Sequence, residues 1–268
     1  MDLIFHPSYL KHEINHPENE ARVSWALEEE YVLPENGERY LELVHTKEYV
    51  EKVRVCCEKG LNLDPDTPTS KGSFEAACYA VGGVIKASDI NGFALVRPPG
   101  HHAPLGGFCF FNNMAIACER LTQKGKSVLI VDWDVHHGNG TQNAVLGNKR
   151  IQYFSTHQYP FYPGTGFRSV DNCTNVLFEA GTKDEEYLSK VGKFLPGLID
   201  RFDPDIIGVS AGFDGLKEDP LACLDLTGKS FLGVCEMIED RDVFFVLEGG
   251  YVPKSIKKNV KAILSFFS

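Results

Sequence analysis

The stretch Val128-Leu129-Ile130-Val131-Asp132-Trp133-Asp134-Val135-His136-His137-Gly138-Asn139-Gly140 decides how this chain is read. Its first four residues are an apolar run. If that run is a strand, side chains alternate between faces, so Asp132, Asp134 and His136 fall on one side and Trp133, Val135 and His137 on the other. Two carboxylates and an imidazole then share one face at the end of a buried segment. Unpaired buried charge is costly, so the pattern points to a cation held between them. The alternative, a solvated turn after an edge strand, leaves the glycines and the second histidine unaccounted for.

Working outward, four further segments repeat the plan of an apolar run that ends in glycine and ionisable or aromatic residues. Phe93-Ala94-Leu95-Val96 leads into Arg97-Pro98-Pro99-Gly100-His101-His102, and Ile151-Gln152-Tyr153-Phe154 into Ser155-Thr156-His157. Ile206-Ile207-Gly208-Val209 leads into Ser210-Ala211-Gly212-Phe213-Asp214, and Val243-Phe244-Phe245-Val246-Leu247 into Glu248-Gly249-Gly250-Tyr251. Such runs imply strands buried on both faces, as in a mainly parallel sheet covered by helices, and hence an α/β fold. Ligands of open α/β sheets bind beyond the carboxyl ends of the strands, which gathers all five loops at one edge. Apolar spacing of three to four residues predicts helices over 73–87, 113–123, 184–201, 226–239 and 254–267, with Pro196-Gly197 kinking or ending the third. Residues 62–70, containing Pro65 and Pro68, read as an ordered loop. No linker or repeat divides the chain, so one domain over 1–268 is expected.

A 43% hydrophobic content in 268 residues suffices for a sizeable core. The formal net charge of -10 argues against direct nucleic-acid binding, which needs a basic surface, and suits cationic partners instead. No run reaches the length of a membrane span and the start lacks a secretory pattern, so a cytoplasmic protein without a membrane partner is expected. The eight cysteines are scattered without a C-x-x-C pair and read as reduced, mostly core-filling thiols. Glu28-Glu29-Glu30 and Lys257-Lys258 with Lys261 read as solvated helix faces.

Asp134, His136 and Asp214 form a credible set of three metal ligands, leaving a coordination position open as a catalytic zinc requires. The same donors accept iron and other divalent ions. His101 and His102, held in a Pro-Pro-Gly turn, offer two imidazoles suited to proton transfer near neutral pH. Asp132 would hold one of them charged, and Asn139 would leave the other nearer neutral and fit to act as a base. Tyr251, after two glycines, could donate a hydrogen bond to a developing oxyanion, or could be an aromatic plug. The aromatic and glycine-rich segments 106–111 and 161–166 could line a narrow slot or belong to the core.

With these residues in view, the chain resembles the zinc-dependent histone deacetylase superfamily, which includes acetylpolyamine amidohydrolases and other bacterial and archaeal deacetylases. The resemblance is carried by His16-Pro17-Glu18, His45-Thr46-Lys47-Glu48-Tyr49-Val50, Arg97 to Ala103, Gly107 to Asn113, Asp132 to Gly140, Pro163-Gly164-Thr165-Gly166, Ser210 to Asp214 and Leu247 to Tyr251, in order along nearly the whole chain. Asp132-Trp133-Asp134 and Gly138-Asn139-Gly140 look closer to class II than to class I. The resemblance implies a three-layer αβα arginase/deacetylase-like fold with one zinc per subunit on Asp134, His136 and Asp214. It implies catalytic roles for His101, His102 and Tyr251, supported by Asp132 and Asn139. A structural potassium would sit at Asp132, Asp134, His136 and Ser155, and the substrate tunnel would include Gly107, Phe108, Tyr162, Leu221 and Gly250 or Gly249. The chain is short for the family, and its compact loop around Lys11 to Asn19 implies an open rim.

The expected function is removal of acetyl groups from N6-acetyl-lysine in proteins with release of acetate. The alternative is acetylpolyamine hydrolysis. Leu221 follows Asp219-Pro220 where some polyamine-specific relatives carry an acid, which favours acyl-lysine. A catalytically idle acyl-lysine binder is disfavoured because Tyr251 and both histidines are present. A two-metal ureohydrolase is disfavoured because only one donor set is evident.

Overall fold

A computed structural model describes all 268 residues. Seven strands form a single sheet: β1 (Leu3–Ile4), β2 (Phe93–Ala94), β3 (Val128–Asp132), β4 (Ile151–Gln158), β5 (Cys173–Phe178), β6 (Ile206–Ala211) and β7 (Val243–Leu247). Their order is β1-β2-β7-β6-β3-β4-β5, and every pairing is parallel. Seven α-helices accompany them: α1 (Lys47–Lys59), α2 (Ser73–Ile90), α3 (Asn113–Gln123), α4 (Asn139–Val145), α5 (Asp184–Phe202), α6 (Gly228–Ile238) and, after β7, α7 (Pro253–Phe266).

β7 and the first four residues of β3 are apolar, and both strands are buried at every position because helices cover both faces of the sheet. Adjacent residues of β7 report the two layers. The Phe244 ring and the Met114 sulfur of α3 crowd Gly208 on one side, while Phe245 packs on Phe267, beyond α7, and on Trp133. From β3 the chain winds outward through β4 and β5, then returns with β6 on the other flank of β3. Loops leaving β3 and β6 therefore diverge, opening the crevice at the switch point of the sheet.

Several boundaries differ from expectation. β4 continues to Gln158, so Ser155, Thr156 and His157 are strand residues paired with β5 and not a loop. α5 runs unbroken through Pro196, because its apolar face of Tyr187, Val191, Leu195, Leu198 and Ile199 is buried on both sides of the proline. Tertiary packing outweighs the one backbone hydrogen bond that proline removes. α6 starts at Gly228, where Thr227 accepts a hydrogen bond from Lys229 N as an N-cap. All eight cysteines are free, and six are buried. Glu29 pairs with Lys257 and Lys261. No helix is long and apolar enough to cross a membrane.

Candidate metal centre

The polypeptide leaving β3 bends over Asp134 to His136, held to its neighbours by backbone bonds from Trp133 N to Ser210 O at 3.1 Å and from Gln158 N to Val135 O at 2.8 Å, while its own carboxylates tie down the next amides. Asp132 Oδ1 accepts from Asp134 N at 3.2 Å, and Asp134 Oδ1 from His136 N at 2.9 Å. These i to i+2 bonds fix the bend, in which Trp133 packs in the core against Phe231 while Asp134 and His136 line the crevice. From β6, Asp214 reaches the same place and anchors there by accepting from Val135 N at 3.0 Å.

Donor atoms of Asp134, His136 and Asp214 lie within 4.8 Å of one another. His136 Nδ1 stands 3.0 Å from Asp134 Oδ1 and 3.1 Å from Asp214 Oδ2. The second contact is not aligned as a hydrogen bond, so Asp214 Oδ2 stays buried without a partner. An orphaned carboxylate oxygen beside a second carboxylate and an imidazole is the donor chemistry of a divalent cation with oxygen and nitrogen ligands. Burial and the Asp134 charge raise the Asp214 carboxyl above its usual range. For Asp134, burial pushes the same way but is outweighed by His101 and His136, which hold it low. Gly249 closes the centre by donating its N–H to Asp134 Oδ2 at 2.7 Å, and its lack of a side chain permits that approach.

His101 and His102 lie 4.1 Å apart between ring centroids, both buried. His101 Nδ1 is 3.1 Å from Asp132 Oδ2, which also accepts from the Tyr153 hydroxyl at 2.8 Å. Burial alone would lower the proton affinity of His101. Asp134 and Asp132 outweigh it, and His101 is held well above its ordinary value. His102 Nδ1 is 2.8 Å from Asn139 Oδ1, an acceptor, so Nδ1 carries the proton and Nε2 keeps its lone pair. Burial, then the charges of His101 and His136, hold His102 well below its ordinary value. One imidazole is thereby poised as a cation and the other as a neutral base.

These groups open into a cavity of ≈ 340 Å³ whose lining includes Gly107, Phe108, Phe161, Tyr162, Leu221 and Tyr251. Phe108 meets Tyr251 edge to face at 5.9 Å, and Tyr162 meets His102 likewise at 5.3 Å. Gly107 has φ +63, and a Cβ there would strike the His102 ring, so that turn demands glycine. Tyr251 N donates to Asp219 Oδ2 at 2.6 Å, while burial and Asp214 push the Asp219 carboxyl up to about 7. Burial also raises the Tyr251 hydroxyl far above its ordinary value, so it remains a hydrogen-bond donor at neutral pH.

Of the expected tunnel residues, Gly250 is not on the wall; Gly249 is. Gly250 turns its carbonyl away to Arg22 Nε at 2.6 Å, with φ +112. Ser155 lies beside Asp132 in the register of β3 and β4, with its hydroxyl 2.9 Å from His157 Nδ1. Phe161, read from sequence as slot or core, lines the cavity with its ring stacked on His136 at 5.3 Å, whereas sequence reasoning missed the buried cluster of Glu18, Arg22 and Arg97. Glu18 bridges both arginines, and Arg22 donates to the carbonyls of Glu248 and Gly250 around the tyrosine loop. The separation of these residues along the chain hides such a bridge from spacing arguments.

The model of the histone deacetylase domain matches residues 16–267. The chain belongs to the histone deacetylase family. A probable deacetylase of Archaeoglobus fulgidus is 36% identical over 93% of this chain and 80% of its own length. Histone deacetylase 15 of Arabidopsis thaliana is 38% identical over 84% of this chain, which spans 45% of that protein. The crystal structure of the HDA15 HD domain superposes over 100% of this chain and 90% of its own, with a TM-score of 0.92 at 33% identity. The acetylpolyamine aminohydrolase of Burkholderia pseudomallei shares the fold, with a TM-score of 0.86 at 24% identity and coverage of 100% and 98%. The chain is thus a hydrolase-family member with the three-layer α/β deacetylase fold.

Proposed function

We propose that the protein is a zinc-dependent amidohydrolase that removes acetyl groups from N6-acetyl-lysine in proteins, releasing acetate. The observation that carries this reading is one crevice in which a buried carboxylate–imidazole–carboxylate set adjoins His102 on Asn139, His101 on Asp132 and the Tyr251 ring. Zinc on Asp134, His136 and Asp214 would supply a Lewis acid and acidify water. His102 Nε2 takes a proton from the attacking water, and Asn139 holds that ring in the required tautomer. Tyr251 donates a hydrogen bond to the amide oxygen as negative charge develops there. As the C–N bond breaks, the imidazole pair delivers a proton to the leaving nitrogen, and the free amine departs.

The aromatic and aliphatic wall of Phe108, Phe161, Tyr162 and Leu221 suits the methylenes of a lysine side chain. A potassium ion at Asp132, Asp134, His136 and Ser155 and a cytoplasmic location belong to the same reading. The test is a substrate panel on metal-analysed protein, with acetyl-lysine peptides against acetylputrescine and acetylspermidine. Higher kcat/KM on the peptides is expected, and a preference for the polyamines overturns the substrate assignment. Unchanged peptide hydrolysis by His102→Ala and Tyr251→Phe overturns the assigned roles.

A further inference from the structure

Glu248 is a carboxylate with no exposure, next to the two glycines of the tyrosine loop, and the chemistry above does not use it. Its Oε2 accepts from two successive backbone amides, Gly100 N at 2.8 Å and His101 N at 3.2 Å. Its Oε1 accepts from Ser210 Oγ of β6 at 3.1 Å. All three partners are donors, so every polar atom facing this side chain is satisfied by a carboxylate and by nothing apolar. Its own backbone is fixed as well, since Glu248 N donates to Ala211 O at 3.1 Å and Arg22 donates to Glu248 O.

We infer that Glu248 is a positioning residue for the imidazole pair: it clamps the Gly100-His101 turn from β7 and so sets where His101 and His102 stand relative to the cavity. The carbonyls of the turn are tied separately, Gly100 O by Ala103 N at 3.0 Å and His102 O by Leu105 N at 2.8 Å, so the particular hold of the carboxylate is on the amides. His101 O accepts from Thr141 N at 3.0 Å, and His102 N has only the Cys109 sulfur, at 3.4 Å. The amides of Gly100 and His101 lie in a buried turn, and without the carboxylate both would lose their partner. Relief requires the turn to shift, and displacements well below 1 Å in a proton-transfer pair reduce the rate of chemistry far more than they alter binding of a distant side chain. The clamp depends on acceptor geometry and not on charge, so a glutamine carbonyl can take over both amide bonds while the Ser210 hydroxyl rotates to meet the amide group.

This inference rests on the proton-transfer roles proposed above for His101 and His102. The experiment compares Glu248→Ala, Glu248→Gln and His102→Ala in zinc-loaded protein, using an acetyl-lysine peptide and scaling rates to folded, metal-containing molecules measured by circular dichroism and metal analysis. Glu248→Ala is expected to lower kcat about 30-fold with KM within about twofold, and Glu248→Gln to recover most of that loss. Wild-type kcat per folded molecule in Glu248→Ala, a loss shared between KM and kcat, or a Glu248→Gln protein as slow as Glu248→Ala overturns the clamp. An inert His102→Ala beside a fully active Glu248→Ala removes only this inference, whereas an active His102→Ala removes the underlying mechanism.

Discussion

Replacing Gly249 by alanine should separate folding from metal binding. A Cβ at this position would lie 2.6 Å from Asp134 Oδ2 and closer still to Asp214 Oδ2. Ordinary van der Waals contact begins at 3.4 Å, so the Asp134 oxygen alone must retreat by about 0.8 Å. Zinc–oxygen bonds tolerate only about 0.2 Å of departure from their ideal length, so both carboxylates would leave bonding range together. The backbone at Gly249 is not in the left-handed region, and the damage is therefore steric, directed at the two ligands. Overpacking of this kind costs about 1–3 kcal/mol, and metal-free protein can relax by moving the carboxylates. We expect Gly249→Ala to fold, with a loss of at least about 100-fold in zinc affinity, beyond the 10–100-fold typical of altering a ligand's supporting partner. Competition against a chromophoric zinc chelator measures this. Gly192→Ala is the control, since its Cβ would meet nothing nearer than Met237 at 3.6 Å. Zinc affinity in Gly249→Ala within threefold of the parent would refute the placement of both carboxylates.

Tyr251→Phe should lower kcat by about 10²–10³-fold while leaving zinc stoichiometry intact, as removal of one oxyanion donor does; steady-state kinetics with metal analysis would show it. His45 is buried, accepts a hydrogen bond from Asn112 N at 2.9 Å, and is lowered by burial to about 4. The folded state thus resists a proton that the unfolded state accepts near pH 6.5, so stability is full above that value and falls as pH drops towards 4. The loss amounts to about 3 kcal/mol, and urea midpoints between pH 7 and 4 should fall more steeply for the parent than for His45→Gln. Parallel slopes would exclude His45 as the source. Leu221→Glu puts an acid on the cavity wall and should raise the ratio of kcat/KM for acetylspermidine over an acetyl-lysine peptide about fivefold, the yield of about 1 kcal/mol from an exposed ion pair. An unchanged ratio would mean that the cation of the polyamine never reaches this position.

The parts of the fold that were legible are those where one physical rule dominates. β7 and residues 128–131 of β3 are unbroken apolar runs, and α3 lies at the predicted 113–123 because Asn112 caps it through Ala115 N. The metal face was legible because Asp134 and His136 stand two residues apart just past β3, and the bend that the carboxylate bonds fix still brings both into the crevice. β5 was missed because it is an edge strand with Thr174, Asn175 and Leu177 half-buried, so it never becomes an apolar run. α1 was missed although Thr46 and Gly60 bracket it, because it buries only Val53 and Cys57. α4 spans only seven residues. The Glu18–Arg22–Arg97 bridge and the Glu248 clamp depend on segments far apart in the chain, and nothing local marks an arginine or glutamate for full burial.

Asp134 divides its two oxygens between the amide of His136 and the amide of Gly249, and Asp214 gives one oxygen to the amide of Val135. The ligands are consequently also the struts of their own loops. A cysteine or histidine substituted at either place would bring a softer donor but could not hold the same amides, so the backbone would drift as the preference for the ion changed. Evolution or design seeking a thiolate-bound metal here must first re-engineer three loops, which leaves this scaffold committed to divalent cations that accept mixed carboxylate and imidazole donors.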